Sequence, residues 1–128
     1  MEMPDLHLTS VTISCPRPRA LAEFYAGLLG AVTVPAEPED PLDPEEWTQV
    51  ELTGFRLNFE YERVWSAPVW PAVPGSQTAT QHLDIQVRDL VAATRWAVEC
   101  GVTVAEVQPQ DDVRVLLDPS GHPFCLYL

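Results

Sequence analysis

Positive charge is scarce in this chain: seven basic residues stand against nineteen acidic ones, for a formal charge of −12. Phosphate backbones and anionic lipid both require clustered cations, so neither nucleic acid nor a membrane surface is an expected partner. Cysteine is scarce too. The three present are odd in number and form no Cys-x-x-Cys pair, which argues against a disulfide framework and for a reducing compartment. No apolar run approaches the ~20 residues that span a bilayer, and Met1-Glu2-Met3-Pro4-Asp5 lacks the pattern of a signal peptide. A cytoplasmic location is the expectation. What the chain does have is 128 residues, 46% of them hydrophobic, enough for one compact unit or two half-domains sharing a core.

Gln81 to Leu90 organises the reading. From His82 to Val87 polar and apolar residues alternate, so His82, Asp84 and Gln86 leave one face of a strand while Leu83, Ile85 and Val87 leave the other. Asp89 is placed to cap a helix that carries Leu90, Ala93, Trp96, Ala97 and Cys100 and stops at Gly101. The same grammar occurs earlier. Ser10, Thr12 and Ser14 alternate with Val11, Ile13 and Cys15 before a helix with Ala20, Leu21, Phe24, Tyr25 and Leu28 that ends at Gly30. The chain thus reads as two copies of one small motif, residues 6–62 and 81–128, joined by a connector at 63–80.

Within the first copy, Leu6–Cys15, Ala31–Val34, Trp47–Leu52 and Phe55–Tyr61 read as strands, the last two joined at Thr53-Gly54. Glu37–Glu46 holds six acids and three prolines and reads as an exposed loop rather than a cation site. In the second copy, Val102–Val107, Val113–Leu117 and Phe124–Leu128 read as strands, with Asp118-Pro119-Ser120-Gly121 as a turn. The fold class is therefore α+β, strand, helix, strand, strand, strand, twice over. If each helix covers the apolar face of its sheet, the opposite faces carry Ser10, Thr12, Ser14, Asn58, Glu60, His82, Asp84, Gln86, Cys125 and Tyr127; these line a cup if the two sheets curve together, while a flat exposed sheet would carry the same pattern.

The segments Arg19-Ala20-Leu21-Ala22-Glu23-Phe24-Tyr25 through Leu28-Leu29-Gly30, His82–Leu90, and Asp118-Pro119-Ser120-Gly121-His122-Pro123-Phe124 resemble the vicinal oxygen chelate (VOC) superfamily, which includes glyoxalase I, extradiol dioxygenases and bleomycin-resistance proteins. The Trp70-Pro71 connector and the ending Gly121–Leu126 are similar to its glyoxalase-like domain proteins. The resemblance implies a single domain over residues 1–128, built of two βαβββ modules whose sheets form a U-shaped cavity. Metal-using members take ligands from the first and last strand of each module, places that fall here on Ser10, Asn58, His82 and Cys125, or on Glu60 if the fourth strand shifts by two. Only His82 among these is a good ligand for a divalent ion, with Cys125 available to zinc as thiolate, so no metal site and no cofactor are expected.

His82 has two readings: a ring satisfied by Asp84, Gln86 or water, or a proton-transfer or ligand-binding group oriented by Glu60 or Asp84. Cys125 reads as a small packing residue before it reads as a nucleophile. His122 reads as a solvent-edge turn residue, and His7 as incidental. Trp65, Trp70, Trp47 and Tyr61 either pack under the connector or wall the cavity for flat ligands. The expected function is binding of a small-molecule ligand in the cavity without a glyoxalase-type metal, through Ser10, Thr12, Asn58, Glu60, Trp65, Trp70, His82, Asp84 and Cys125. The alternatives are an enzyme (lyase, isomerase or dioxygenase) using His82 with Glu60 or Cys125 around a divalent metal ion, or His82 alone as a general base, and an interaction module. A homodimer fits all three.

Overall fold

Alternating side chains and two glycine-stopped helices build the same unit twice. In the computed structural model, which describes residues 1–128, the first unit runs β1 (Ser10–Cys15), α1 (Pro18–Leu29), β2 (Val32–Val34), β3 (Thr48–Leu52) and β4 (Phe55–Tyr61). The second runs β5 (Leu83–Gln86), α2 (Leu90–Cys100), β6 (Thr103–Val104), β7 (Val113–Leu117) and β8 (Pro123–Tyr127). The sheets have matching orders, β1-β4-β3-β2 and β5-β8-β7-β6. In each, the first strand pairs in parallel with the last, Ser10 opposite Arg56 and Leu83 opposite Phe124. The α+β architecture of two βαβββ modules is thereby met.

The helices begin and end as their sequences dictate. Pro18 opens α1, where its missing N–H is no loss, and Asp89 accepts a hydrogen bond from the Ala92 N–H at 2.9 Å to cap α2. Gly30 and Gly101 close the two helices in the left-handed conformation, at φ 65° and 115°.

Ala31–Val34 and Trp47–Leu52 each lose their first residue, and three further strands are shorter than expected for a visible reason. Leu6 to Thr9 lie outside β1 because its parallel partner starts only at Phe55, leaving Leu6 and Leu8 exposed. Val102–Val107 shrinks to Thr103–Val104. The Gln108 side chain takes over the ladder there, its Nε2 donating to the Ala105 and Val115 carbonyls at 2.9 Å and its Oε1 accepting from the Val115 N–H at 2.8 Å. His82 and Val87 fall just outside β5, although the Val87 N–H still reaches the Tyr127 carbonyl.

The core belongs to both modules and is centred on α1. Leu21, Ala22, Phe24 and Tyr25 pack in one cluster with Val50, Leu57 and Phe59 of the first sheet and Leu116, Phe124 and Leu126 of the second. Tyr25 stacks on Phe59 at 5.6 Å and meets Phe124 edge-on at 5.9 Å, so one ring joins the two sheets. From the far side, the Trp96 indole N–H donates to the Leu28 carbonyl, tying α2 to α1 at 3.1 Å. By contrast β1 and β5, the edge strands that face the junction, share no ladder. A seam is left between them.

Candidate functional site

A cavity of about 730 Å³ occupies that seam, within the 300–1,000 Å³ typical of small-molecule sites. Its walls come from β1 (Val11, Thr12, Ile13, Ser14), from His82 and Leu83 at the start of β5, from Tyr25 of α1, and from His122 and Pro123 entering β8. The connector roofs it with Trp65, Ser66, Pro68 and the run Gln77–Gln81. That connector holds itself in place by one parallel bridge, Val69 to Thr78, with the Val69 N–H on the Gln77 carbonyl at 2.7 Å.

Behind one wall lies a buried polar cluster. The Asp118 side chain has no solvent exposure, and its carboxylate accepts four hydrogen bonds. Oδ2 takes the Tyr25 hydroxyl at 2.7 Å and His122 Nδ1 at 2.8 Å, while Oδ1 takes the backbone N–H groups of Ser120 at 2.9 Å and His122 at 3.0 Å. Burial without such partners would be prohibitive. The other ring nitrogen of His122, Nε2, points at the Ser14 carbonyl of β1 at 3.0 Å. Both nitrogens thus face acceptors only, an arrangement that an imidazolium satisfies in full. Burial opposes that charge, but the hydrogen bond and charge of Asp118, with the Ser14 carbonyl, outweigh it and raise the His122 pKa above its ordinary value of 6.5. The same surroundings, burial first and then Asp118, push the Tyr25 hydroxyl well above its usual range. The Trp65 ring lies 5.1 Å from the His122 ring, tilted by 53°, close enough for a cation–π contact.

His122 is therefore not the solvent-edge residue expected from its turn. It is about one-fifth exposed and spans the two modules, because the Asp118 turn folds its side chain back over the seam. Local sequence offers only a faint hint: Asp and His four apart across Pro-Ser-Gly can share one side of a turn. Tyr25 and Asp118 likewise carry roles that helical spacing and a turn signal leave unseen.

The residues singled out from sequence are distributed over two places. Thr12, Trp65 and His82 line the cavity. Ser10, Asn58, Glu60, Asp84 and Cys125 lie on the sheet faces beside it, where polar groups bind one another. Gln49 donates to Asn58 Oδ1 at 2.8 Å, Asn58 Nδ2 donates to Thr12 at 3.3 Å, and Ser14 donates to Glu60 at 3.3 Å. Trp70 is half-buried in the connector away from the lining residues. His82, about half exposed, sets its Nε2 3.2 Å from Asp84 Oδ1.

As metal donors, these residues do not match the two-module quartet of the VOC superfamily. Ser10 and Asn58 supply only neutral oxygens, and the Asn58 amide is engaged at both ends. His82, Asp84 and Cys125 do place one donor atom each within 4.8 Å of one another, all from the second module. Burial and then the neighbouring Asp84 push the Cys125 thiol up, away from thiolate. No helix is long and apolar enough to cross a membrane.

The chain matches the family model described as a glyoxalase-like domain over residues 10–127. No curated protein matches it. Among solved structures, a glyoxalase family protein from Enterococcus faecalis aligns at 20% identity and TM-score 0.67, over 95% of this chain and 97% of that one. A glyoxalase/bleomycin resistance/dioxygenase family enzyme from Burkholderia phytofirmans PsJN aligns at 15% identity and TM-score 0.64, over 92% and 94%. An integron cassette protein from the mobile metagenome of V. cholerae aligns at 14% and 0.59, over 98% and 97%. At such identities the likeness is one of fold.

Proposed function

Since the chain belongs to the glyoxalase-like domain family, whose fold brings two modules together around a shared space, we propose that its activity is the binding of a small organic molecule in the seam cavity, without a glyoxalase-type metal. The observation that carries this is the cavity itself: about 730 Å³ between β1, β5 and the connector, where apolar and aromatic side chains alternate with the hydroxyls of Thr12, Ser14, Ser66, Thr78 and Thr80, two glutamines and two histidines. Thermal-shift screening of a diverse compound library tests it. A ligand at ~100 times its dissociation constant adds about 2.7 kcal/mol of stability, a shift that disappears in Thr78→Trp, which fills the exposed mouth. A library that produces no such ligand overturns the reading.

A second reading rests on the His82, Asp84 and Cys125 donors. A divalent ion held there would make the protein a metal-dependent lyase, isomerase or dioxygenase, the ion polarising a substrate oxygen. Calorimetric titration with zinc, nickel, manganese and ferrous iron decides it. Stoichiometric uptake lost in His82→Ala displaces the first reading.

A further inference from the structure

The connector that roofs the seam cavity is attached to the chain differently from every strand and helix around it. From Trp65 to Gln81 no backbone or side-chain group hydrogen-bonds outside the segment. Its bonds are internal, the Val69 N–H on the Gln77 carbonyl at 2.7 Å and the Ser76 N–H on the Val73 carbonyl at 3.3 Å. None of its apolar side chains enters the shared core or packs against it, and all but Trp65, Pro68, Trp70 and Ala79 are exposed along its length. A segment with so few buried contacts opens at far lower cost than the sheets beneath it. It also runs from 65 to 81 with no helix or strand, and loops longer than about 12–15 residues in compact domains are mostly lids or binding loops.

Two contacts seat the segment, and both fall on one turn of the second module. The half-buried Trp65 ring lies 5.1 Å from the His122 ring. Ala67 stands over Gly121, where a Cβ would come within 3.2 Å of its own, so the absence of a side chain there admits the close approach. The turn itself is fixed from the other side, His122 by Asp118 and Ser14. It therefore stays in place when the connector moves. The Val69–Gln77 bond meanwhile closes the outer part of the connector on itself, which lets it move without unravelling. Eight of the 17 residues that line the cavity move with it: Trp65, Ser66, Pro68 and the run Gln77–Gln81.

We propose that residues 65–81 form a lid on the seam cavity that lifts as one piece while both modules stay folded, with the Trp65 ring on His122 as its catch. The proposal rests on the binding activity put forward above for what the lid admits, and concerns how that site opens. With the lid lifted, the wall made by β1, His82 and His122 faces solvent; with it down, Trp65 and Pro68 close that wall over.

Trypsin cleavage of the folded protein, followed site by site by mass spectrometry, tests this with no ligand present. Arg63 stands at the root of the lid, while Arg56 lies within β4 and Arg95 within α2, so cutting at the last two requires a module to unfold. When opening is fast relative to cleavage, each rate follows the population of its open form. The cut after Arg63 should be at least about tenfold faster than either of the others. Trp65→Ala should speed it by about a further fivefold, the factor that one aromatic contact sets, with the cuts at Arg56 and Arg95 and the urea midpoint unchanged; Trp65→Phe should fall between. A cut after Arg63 no faster than the other two overturns the lid, as does a Trp65→Ala effect that is absent or shared by all three sites. The two readings fail separately: a slow cut at Arg63 removes the lid and leaves binding to the compound screen, whereas a barren screen beside a fast, Trp65-dependent cut removes the binding and leaves the movement.

Discussion

Asp118→Asn removes one negative charge from the seam with almost no change of shape, and the hydrogen bonds around it set the cost. In the native protein four donors converge on that carboxylate, one of them the His122 ring that also holds the Ser14 carbonyl. Breaking a buried ion pair outright costs about 3–5 kcal/mol. Here the ring has an escape: it sheds its proton, accepts from the new amide at Nδ1 and keeps its Nε2–H on Ser14. The loss is then the charge assistance of the His122 bond plus the acceptor of the Tyr25 hydroxyl, which shares Oδ2 with that ring, together about 2 kcal/mol. At roughly 3–4 °C per kcal/mol for a chain of this length, the melting temperature falls by about 7 °C. The pH dependence is the sharper signature. Because the folded His122 pKa is raised above 6.5, its contribution is complete below about pH 6.5 and is lost as pH rises through the folded value. The gap between native and variant stability should therefore be widest near pH 6 and close towards pH 9. Urea unfolding followed by tryptophan fluorescence at four pH values measures it, and an NMR titration of the His122 ring locates the pKa. A gap that stays constant from pH 6 to 9 would refute the assignment of an imidazolium.

Gly121→Ala should cost about 2 kcal/mol by urea unfolding, because φ is +94° and a Cβ there would stand 3.2 Å from that of Ala67. Adding Ala67→Gly should recover the contact part of the loss but not the backbone part; full recovery would show that φ carries no strain. Asp89→Ala deletes the cap on Ala92 and should cost about 1 kcal/mol, read as a lower urea midpoint with unchanged slope; an unchanged midpoint would mean that α2 is held by packing alone.

The repeated module was legible because its signals are local. Alternation in Ser10–Cys15 and Leu83–Gln86, apolar spacing in two helices, and Gly30 and Gly101 after them depend on neighbours within one turn or one pleat. Element ends were harder, since they hang on partners elsewhere: β1 starts where β4 can meet it, and β6 stops where Gln108 intrudes. The site was the least legible part. The Tyr25–Asp118 and Ser14–His122 contacts join residues 93 and 108 positions apart, and no periodicity within either segment encodes them. Alternation placed Asn58, Glu60, Asp84 and Cys125 on an inward face, but the enclosed volume lies along the strand edges, where residues of both faces meet.

The position of the His122 ring against β1 has one more consequence. Ser14 offers its carbonyl sideways, towards the place where a wider sheet would have supplied another strand, and an aromatic nitrogen stands there instead of main chain. A side chain is thus acting as a stopper on a bare β margin. Such margins are where extended segments of other molecules attach, and at Ser14 that attachment point is already taken from within the chain.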